Sequence, residues 1–492
     1  MNYISTRGGG ERVSSAYAIK KGLAEDGGLY MPESIPALTY DEITALTKES
    51  YTHRAARILS KFLTDYTYEE LLEDAEGAYS SDKFGGPPAP VTSLSELGYM
   101  LELWHGPTSA FKDMALQIMP RLFVRALRKC GEERRALILV ATSGDTGKAA
   151  LEGYRDVRGT MVKVFYPIDG VSRVQKLQMQ TQTGSNVSVS GIRGNFDDAQ
   201  TGVKRIFSDS VMSESLNGAG VFLSSANSIN WGRLVPQIVY YVSAYCDLIG
   251  KGSIKLGDAI DVCVPTGNFG NIFACYIAKL MGLPIGKLIC ASNKNDVLTE
   301  FLTTGTYNRC RDFHTTMSPS MDILISSNLE RLLFVTLGAE KTRGYMEKLK
   351  ECGSYTLGAD DFAKITADFV GFSADESATA ATIKRIYNEK NCLIDTHTAV
   401  AAYATECYMS ENKAERTVLT VSTASAYKFA RDVYKSLTDK TVGDLEALSA
   451  LCQLTGVDIP TPLSNLGEKK IIHDSVIDKD GMEAAVLQFA GV

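Results

Sequence analysis

The chain has 492 residues, a formal net charge of −7, and 45% hydrophobic and 22% charged residues. This is the composition of a globular protein long enough for two or three domains, and its acidic balance argues against a nucleic-acid footprint. No apolar run approaches the roughly 20 residues needed to span a bilayer. The opening MNYISTRGGGER has no apolar stretch, the ten cysteines form no Cys-x-x-Cys pair and the five histidines lie far apart, so the expectation is a reduced, cytoplasmic protein without a metal site.

Ala16 to Leu23 has the apolar spacing of a short amphipathic helix. Gly27 and Gly28 then suit a turn, and Leu29-Tyr30-Met31 is a strand entry stopped by Pro32. Between Tyr40 and Tyr79 the pattern supports two or three helices, among them Ser50 to Phe62 and Tyr68 to Tyr79. The run Phe84 to Pro90, rich in glycine and proline, reads as a linker and puts a domain boundary near residue 90.

After the apolar run Tyr99 to Trp104 comes a break at Gly106-Pro107. Ala110 to Val124 then has helical spacing, with Thr108 or Ser109 able to cap it. Lys112 falls in the first turn of that helix, beside Phe111 and Met114. The positive end of the helix dipole and the loss of solvation both lower an amine's pKa. A neutral amine can act as nucleophile, Schiff-base partner or general base. Spacing alone favours the more ordinary reading, a lysine whose head reaches water beside Asp113.

Arg135 to Ala141 is an apolar run of strand length. Thr142-Ser143-Gly144-Asp145-Thr146-Gly147 leads from it into a helix over Lys148 to Tyr154. A strand, a small-residue turn and a helix start make a nest for an anion, and they also describe an ordinary connection. A Walker A loop is excluded, because Thr142 stands where glycine is required and Ala149 where Ser or Thr is. Strands at Met161 to Tyr166 and Asn186 to Ser190 alternate with helices at Ser172 to Thr181 and after Gly194. Asn230 and Arg233 open a long apolar helix through Leu248, which on its own reads as a helix cap followed by a surface arginine. Asp261 to Pro265 is a strand, Thr266 to Asn271 a glycine-bearing turn and Ile272 to Met281 a helix. Two glycines there permit close approach to a phosphate, but no Gly-x-Gly-x-x-Gly fingerprint is present. His397 stands at a helix start and reads as satisfied by backbone. Arg416 to Val421 is a third buried strand, ending in Ser422-Thr423. This alternation argues for parallel sheets with helices on both faces.

The letters add a resemblance. YISTRG and KGLAEDGGLYMP near the start, HGPTSAFKD at 105–113, then ATSGDTG, SINWGR, PTGNFG, DTHTAV and STASAYKF resemble, in the same order, strings of the threonine synthases. The resemblance implies an α/β chain of the type II pyridoxal-phosphate enzyme fold. That fold has two three-layer αβα domains with mostly parallel sheets, plus an N-terminal helical or mixed domain. The expected divisions are 1–90, then 91–225 with the Schiff-base lysine and the substrate-carboxylate loop, then 226–492 with the cofactor-phosphate loop. Implied for the residues are pyridoxal 5'-phosphate carried by Lys112, its phosphate cupped by Gly267, Asn268, Phe269 and Gly270, and its ring nitrogen facing Thr423. The substrate α-carboxylate falls to Thr142, Ser143, Gly144, Asp145 and Thr146, and the substrate phosphate to Asn230 and Arg233. The implied reaction is O-phospho-L-homoserine plus water giving L-threonine and phosphate, the last step of threonine biosynthesis. The expected enzyme is a monomer or homodimer with a small-molecule substrate and neither nucleic-acid nor membrane partners. Ser425, Ala426 and Tyr427 depart from the family's usual His, Pro and Ala. That departure leaves open a relative that releases phosphate and a 2-oxo acid, or a scaffold that binds the cofactor without turnover.

Overall fold

The computed structural model describes residues 1–95, 98–142, 144–169, 171–412 and 416–492. Strands that are apolar at every position have no face to give to water, so they lie between helices. Thr160–Pro167, buried along its whole length, is such a strand. It sits in the middle of a five-stranded, all-parallel sheet ordered Val476–Asp478, Val187–Arg193, Thr160–Pro167, Arg135–Ala141, Val221–Ser224. Ile260–Pro265 and Val418–Ser422, also buried throughout, centre a six-stranded sheet. Its order is Phe369–Ser373, Ile285–Ser292, Ile260–Pro265, Val418–Ser422, Gly98–Glu102, Val91–Ser93, and the last pairing is antiparallel.

The sheets do not follow the divisions at 91–225 and 226–492. Val91–Ser93 and Gly98–Glu102 join the six-stranded sheet through Val418–Ser422, and Val476–Asp478 returns from the far end of the chain to pair with Val187–Arg193. A buried strand must satisfy backbone groups along both edges. Which distant segment does so is a tertiary choice that local composition does not record.

Ala110 to Val124 is not one helix. A single turn, Asp113–Leu116, is followed after Gln117 and Ile118 by Met119–Lys129, with Pro120 in its first turn. Proline has no N–H to continue a helix and is well placed to begin one. Neither Thr108 nor Ser109 caps the first turn; Lys112 itself is the N-cap residue.

The N-terminal region contributes helices Tyr40–Leu46, Tyr51–Phe62 and Tyr68–Ala78. Phe62 packs on Trp231 with ring centroids 5.8 Å apart, and buried Arg54 donates to Ser243 Oγ (2.8 Å) and Asp247 Oδ1 (2.6 Å). The opening strand reaches further: Thr6 Oγ1 donates to Glu330 (2.6 Å), and Arg7 makes a fork of two 2.9 Å bonds to the same carboxylate. Among the described residues, no helix is long and apolar enough to cross a membrane.

Candidate active site

The chain leaves Gly98–Glu102, loops through Gly106-Pro107 and comes back against the end of Val418–Ser422. Leu103 N donates to Ser422 O (3.0 Å), Phe111 N to Thr423 O (2.8 Å) and Ser425 N to Ser109 O (3.1 Å). Ser109 takes a φ of +58° to make the turn. Lys112 and Thr423 therefore lie on adjoining backbone at the carboxyl edge of the six-stranded sheet, where open α/β sheets bind their ligands. Asp113 does not accompany the lysine to water. It is fully buried and accepts from Thr108 N and Thr108 Oγ1, each at 2.8 Å. Burial pushes its pKa up to about 6 even so.

Lys112 is 8% exposed. Its Nζ lies 3.5 Å from Ser320 Oγ, 3.8 Å from Asp145 Oδ2 and 4.8 Å from the centre of the Phe111 ring. Burial lowers its pKa to about 8, against the pull of Asp145. A second, fully buried lysine explains why that pull is incomplete. Lys428 Nζ is 2.8 Å from Asp145 Oδ1 and also donates to Thr108 O (2.9 Å) and Gln178 Oε1 (3.2 Å). Gln175 Nε2 donates to Asp145 as well (2.9 Å). Burial raises the Asp145 pKa, but Lys428 and then Lys112 outweigh it and hold the carboxyl well below the usual range. Attraction falls with distance, so Lys428 is the main counterion and Lys112 is the amine left free to lose its proton.

Ser320 is placed over Lys112 by His397. Its backbone N–H donates to His397 Nε2 (3.1 Å), while His397 Nδ1 faces Asp395 Oδ1 (2.9 Å). Nδ1 therefore carries the ring proton and Nε2 accepts. His397 is thus satisfied by backbone at Nε2, as expected of it, and held by a buried carboxylate at Nδ1.

Two strand-to-helix loops flank the lysine. In the first, Thr142 Oγ1 accepts from Gly144 N (2.9 Å) and Gly147 N (3.0 Å), so its hydroxyl shapes the turn. The Asp145 carboxylate, committed to two ammonium groups, has no proton to give a substrate carboxylate. Helix Asp145–Tyr154 starts here from Gly144, an N-cap without a side-chain cap bond, with half-buried Thr146 in its first turn. Ser143 lies outside the described residues. In the second loop, Phe269 adopts φ +60° as N-cap of helix Gly270–Leu280 and makes no side-chain cap bond. Gly267 is required by crowding: a Cβ there would meet Ser320 O at 2.8 Å. Asn268 O accepts from Asn328 N (3.1 Å) and Asn328 Nδ2 (2.9 Å). Asn271 Oδ1 accepts from Tyr240 (2.5 Å) and Tyr241 (2.6 Å), which orients a buried Nδ2 that has no partner. An unmatched buried donor beside a helix start is a place for an anion.

The structure separates Asn230 from Arg233. Asn230 is wholly buried; its Nδ2 donates to Ile19 O (2.9 Å) and its Oδ1 accepts from Gly232 N (2.9 Å). Both ends of that amide hold the helix start against the N-terminal region. Arg233 is not a surface arginine: it is 5% exposed, donates to Ala226 O (2.8 Å), and burial lowers its pKa to about 10.

Residues 2–79 match the family model described as threonine synthase N terminus, and residues 85–424 match that of pyridoxal-phosphate dependent enzymes. The threonine synthase of Pseudomonas aeruginosa is 37% identical over 460 residues, covering 92% of each chain. The chain belongs to the threonine synthase family of pyridoxal-phosphate-dependent enzymes. Human threonine synthase-like 1 is 41% identical over 452 residues, which are 88% of this chain and 60% of the relative, so the chain spans about three fifths of the length of that relative. The crystal structure of pyridoxal-phosphate-bound threonine synthase from Brucella melitensis aligns over 100% of both chains, with a TM-score of 0.88 and 36% identity.

The family's cofactor fits the residues present. The second loop combines an uncapped helix start, a glycine that cannot carry a Cβ and the orphaned Asn271 amide, which together suit a phosphate monoester. Sequence reasoning missed Asn271, Gln175, Ser320 and Lys428. Lys428 had a signal, since its Lys-Phe pair is shared with the family string around Thr423. Ser320 had none, because a long connection brings it to the site.

Proposed function

We propose that this chain is a threonine synthase, converting O-phospho-L-homoserine and water to L-threonine and phosphate. The observation that carries the reading is Lys112: a buried amine with its pKa lowered to about 8, flanked by two strand-to-helix loops. An amine so lowered is a ready nucleophile toward an aldehyde cofactor. Pyridoxal 5'-phosphate bound there supplies the electron sink that makes protons at the substrate's Cα and Cβ removable. Gly267, Asn268, Phe269 and Gly270 would hold its phosphate through backbone N–H groups, with the Asn271 amide beside them, and Thr423 would face the ring nitrogen. Lys112 Nζ is the group that moves protons among Cα, Cβ and Cγ as phosphate departs and water adds at Cβ. The helix start at Gly144, Asp145 and Thr146 receives the α-carboxylate. Arg233 receives the substrate phosphate, as a buried guanidinium suited to a bidentate anion; Asn230 supports the helix that carries it.

The test is to incubate purified protein with O-phospho-L-homoserine and follow phosphate and the organic product together. Threonine should appear in step with phosphate and fall by at least ~10³-fold in Lys112→Ala. Phosphate accompanied by a 2-oxo acid would transfer the chain to the lyase reading, and no phosphate at all would remove the substrate assignment.

A further inference from the structure

Away from these loops, a cavity of about 1250 Å³ opens between helices Tyr68–Ala78, Met119–Lys129 and Asp145–Tyr154 and the segment 460–469. Most of its carboxylates are already committed. Glu73 and Asp74 hold Arg125 at 2.6 and 2.8 Å, and Glu152 holds Lys148 at 3.0 Å and Arg155 at 3.3 Å; Asp82 is the one left over. Four other lining cations, Arg121, Arg128, Arg158 and Lys469, have no carboxylate within 4.0 Å among the described residues. Lys83 adds to them: burial, and then neighbouring Arg121, push its pKa down. The Arg121 guanidinium rests on helix Tyr68–Ala78 where Gly77 gives it room, since a Cβ there would lie 2.4 Å from it. Cations gathered on one concave wall repel one another unless an anion joins them.

Two of the lining residues carry buried amides. Gln117 is 4% and Gln178 2% exposed, and the Nε2 of each has no hydrogen-bond partner. The orientation of Gln178 is fixed, because its Oε1 accepts from Lys428 Nζ at 3.2 Å. Its Nε2 is therefore a donor without an acceptor, a condition unfavourable in a buried group. Trp104 and His105, also in the lining, stack with ring centroids 4.1 Å apart.

We propose that this cavity binds a small polyanion carrying two or more phosphate groups, at a site separate from the two loops beside Lys112. Guanidinium groups match phosphate oxygens in fork geometry, and the volume admits a ligand of nucleotide size. The phosphates could belong to an inorganic chain or to a nucleoside polyphosphate; the shared chemistry is the polyphosphate.

The experiment is calorimetric titration of the cofactor-loaded protein at low ionic strength with tripolyphosphate and, separately, with ATP. Tripolyphosphate should bind at one equivalent per chain, weaken as salt rises and weaken at least about tenfold in an Arg121→Glu/Arg128→Glu variant. Both arginines are exposed, so the variant should keep the visible absorbance of bound cofactor. ATP binding at least about tenfold tighter than tripolyphosphate would assign the nucleoside to the Trp104–His105 stack, and equal affinities would assign the site to the phosphates alone. Absence of binding, equal binding by the charge-reversed variant, or displacement by O-phospho-L-homoserine would overturn the proposal.

Discussion

The two loops beside Lys112 share one plan, a buried strand running through a small-residue turn into a helix, and they are stabilised in opposite ways. The 142–147 loop is built around charge: Asp145 sits between Lys428 at 2.8 Å and Lys112 at 3.8 Å. The 266–271 loop offers neutral donors, with Asn271 oriented by two tyrosine hydroxyls. On the proposed reading, the 266–271 loop would hold a cofactor phosphate that is always charged, which a fixed set of neutral donors serves. Lys112 would have to change protonation state, and a charged neighbour tunes that. The same backbone motif thus separates holding from tuning by which side chain occupies the first turn of its helix.

Breaking the charged loop should have the largest effect. Lys428→Met leaves the buried Asp145 carboxylate with only the more distant ammonium, and removal of one partner of a buried pair costs about 3–5 kcal/mol. Denaturant unfolding should register that loss, and the double variant Asp145→Asn/Lys428→Met should recover part of it. A double variant no better than Lys428→Met alone would mean that the lysine's value lies in its bond to Thr108 O, not in the ion pair.

The charged loop should also make stability depend on pH. The lysine's ordinary value is 10.5 and the folded value is about 8. Between them the unfolded chain keeps a proton that the folded one has lost, so unfolding free energy rises with pH across this window, by up to ~1.4 kcal/mol per pH unit. Cofactor-free protein should show that rise from about pH 8 to 10.5, and Lys112→Met should show it reduced by the lysine's share. Identical slopes would mean that Lys112 titrates at its ordinary value.

The neutral loop makes the complementary case. Asn271→Asp keeps an oxygen for Tyr240 and Tyr241 but replaces the free amide with negative charge. Cofactor affinity should fall roughly 100-fold, about 2–3 kcal/mol, the scale of a lost hydrogen bond to a charged group. An unchanged dissociation constant would move the phosphate away from this helix start.

Periodicity located the central strands well: the expected Arg135 to Ala141 and the observed Arg135–Ala141 coincide. It also read the connections at 142–147 and 266–271 as strand, turn and helix. What it could not supply was long-range pairing, and the most informative residues depend on that. Ser320 reaches Lys112 from 208 positions along the chain, and Lys428 reaches Thr108 from 320. Short-range errors have short-range causes: Pro120 divides the expected lysine helix. The family departures at Ser425 to Tyr427 are absorbed locally, Ser425 Oγ accepting from Tyr427 N (3.3 Å) and Tyr427 hydroxyl donating to Val457 O. Thr423 accordingly keeps its bond to the lysine segment.

The smallest expected effect decides what Thr142 does. Its hydroxyl accepts two backbone N–H groups of its own loop, and its methyl fills the space beside Gly147, where a Cβ would meet it at 2.5 Å. Thr142→Ser keeps the acceptor and removes one methyl from a packed site. The loss of stability should be about 1 kcal/mol or less, and KM for O-phospho-L-homoserine should stay within about twofold. Thr142→Val reverses the exchange, keeping the shape and stranding two N–H groups, so it should destabilise more although it is closer in volume. If the serine variant instead raises KM about tenfold with stability intact, the threonine side chain touches the substrate and the turn-shaping role is secondary. The two substitutions together distinguish a hydroxyl that builds the loop from one that binds through it.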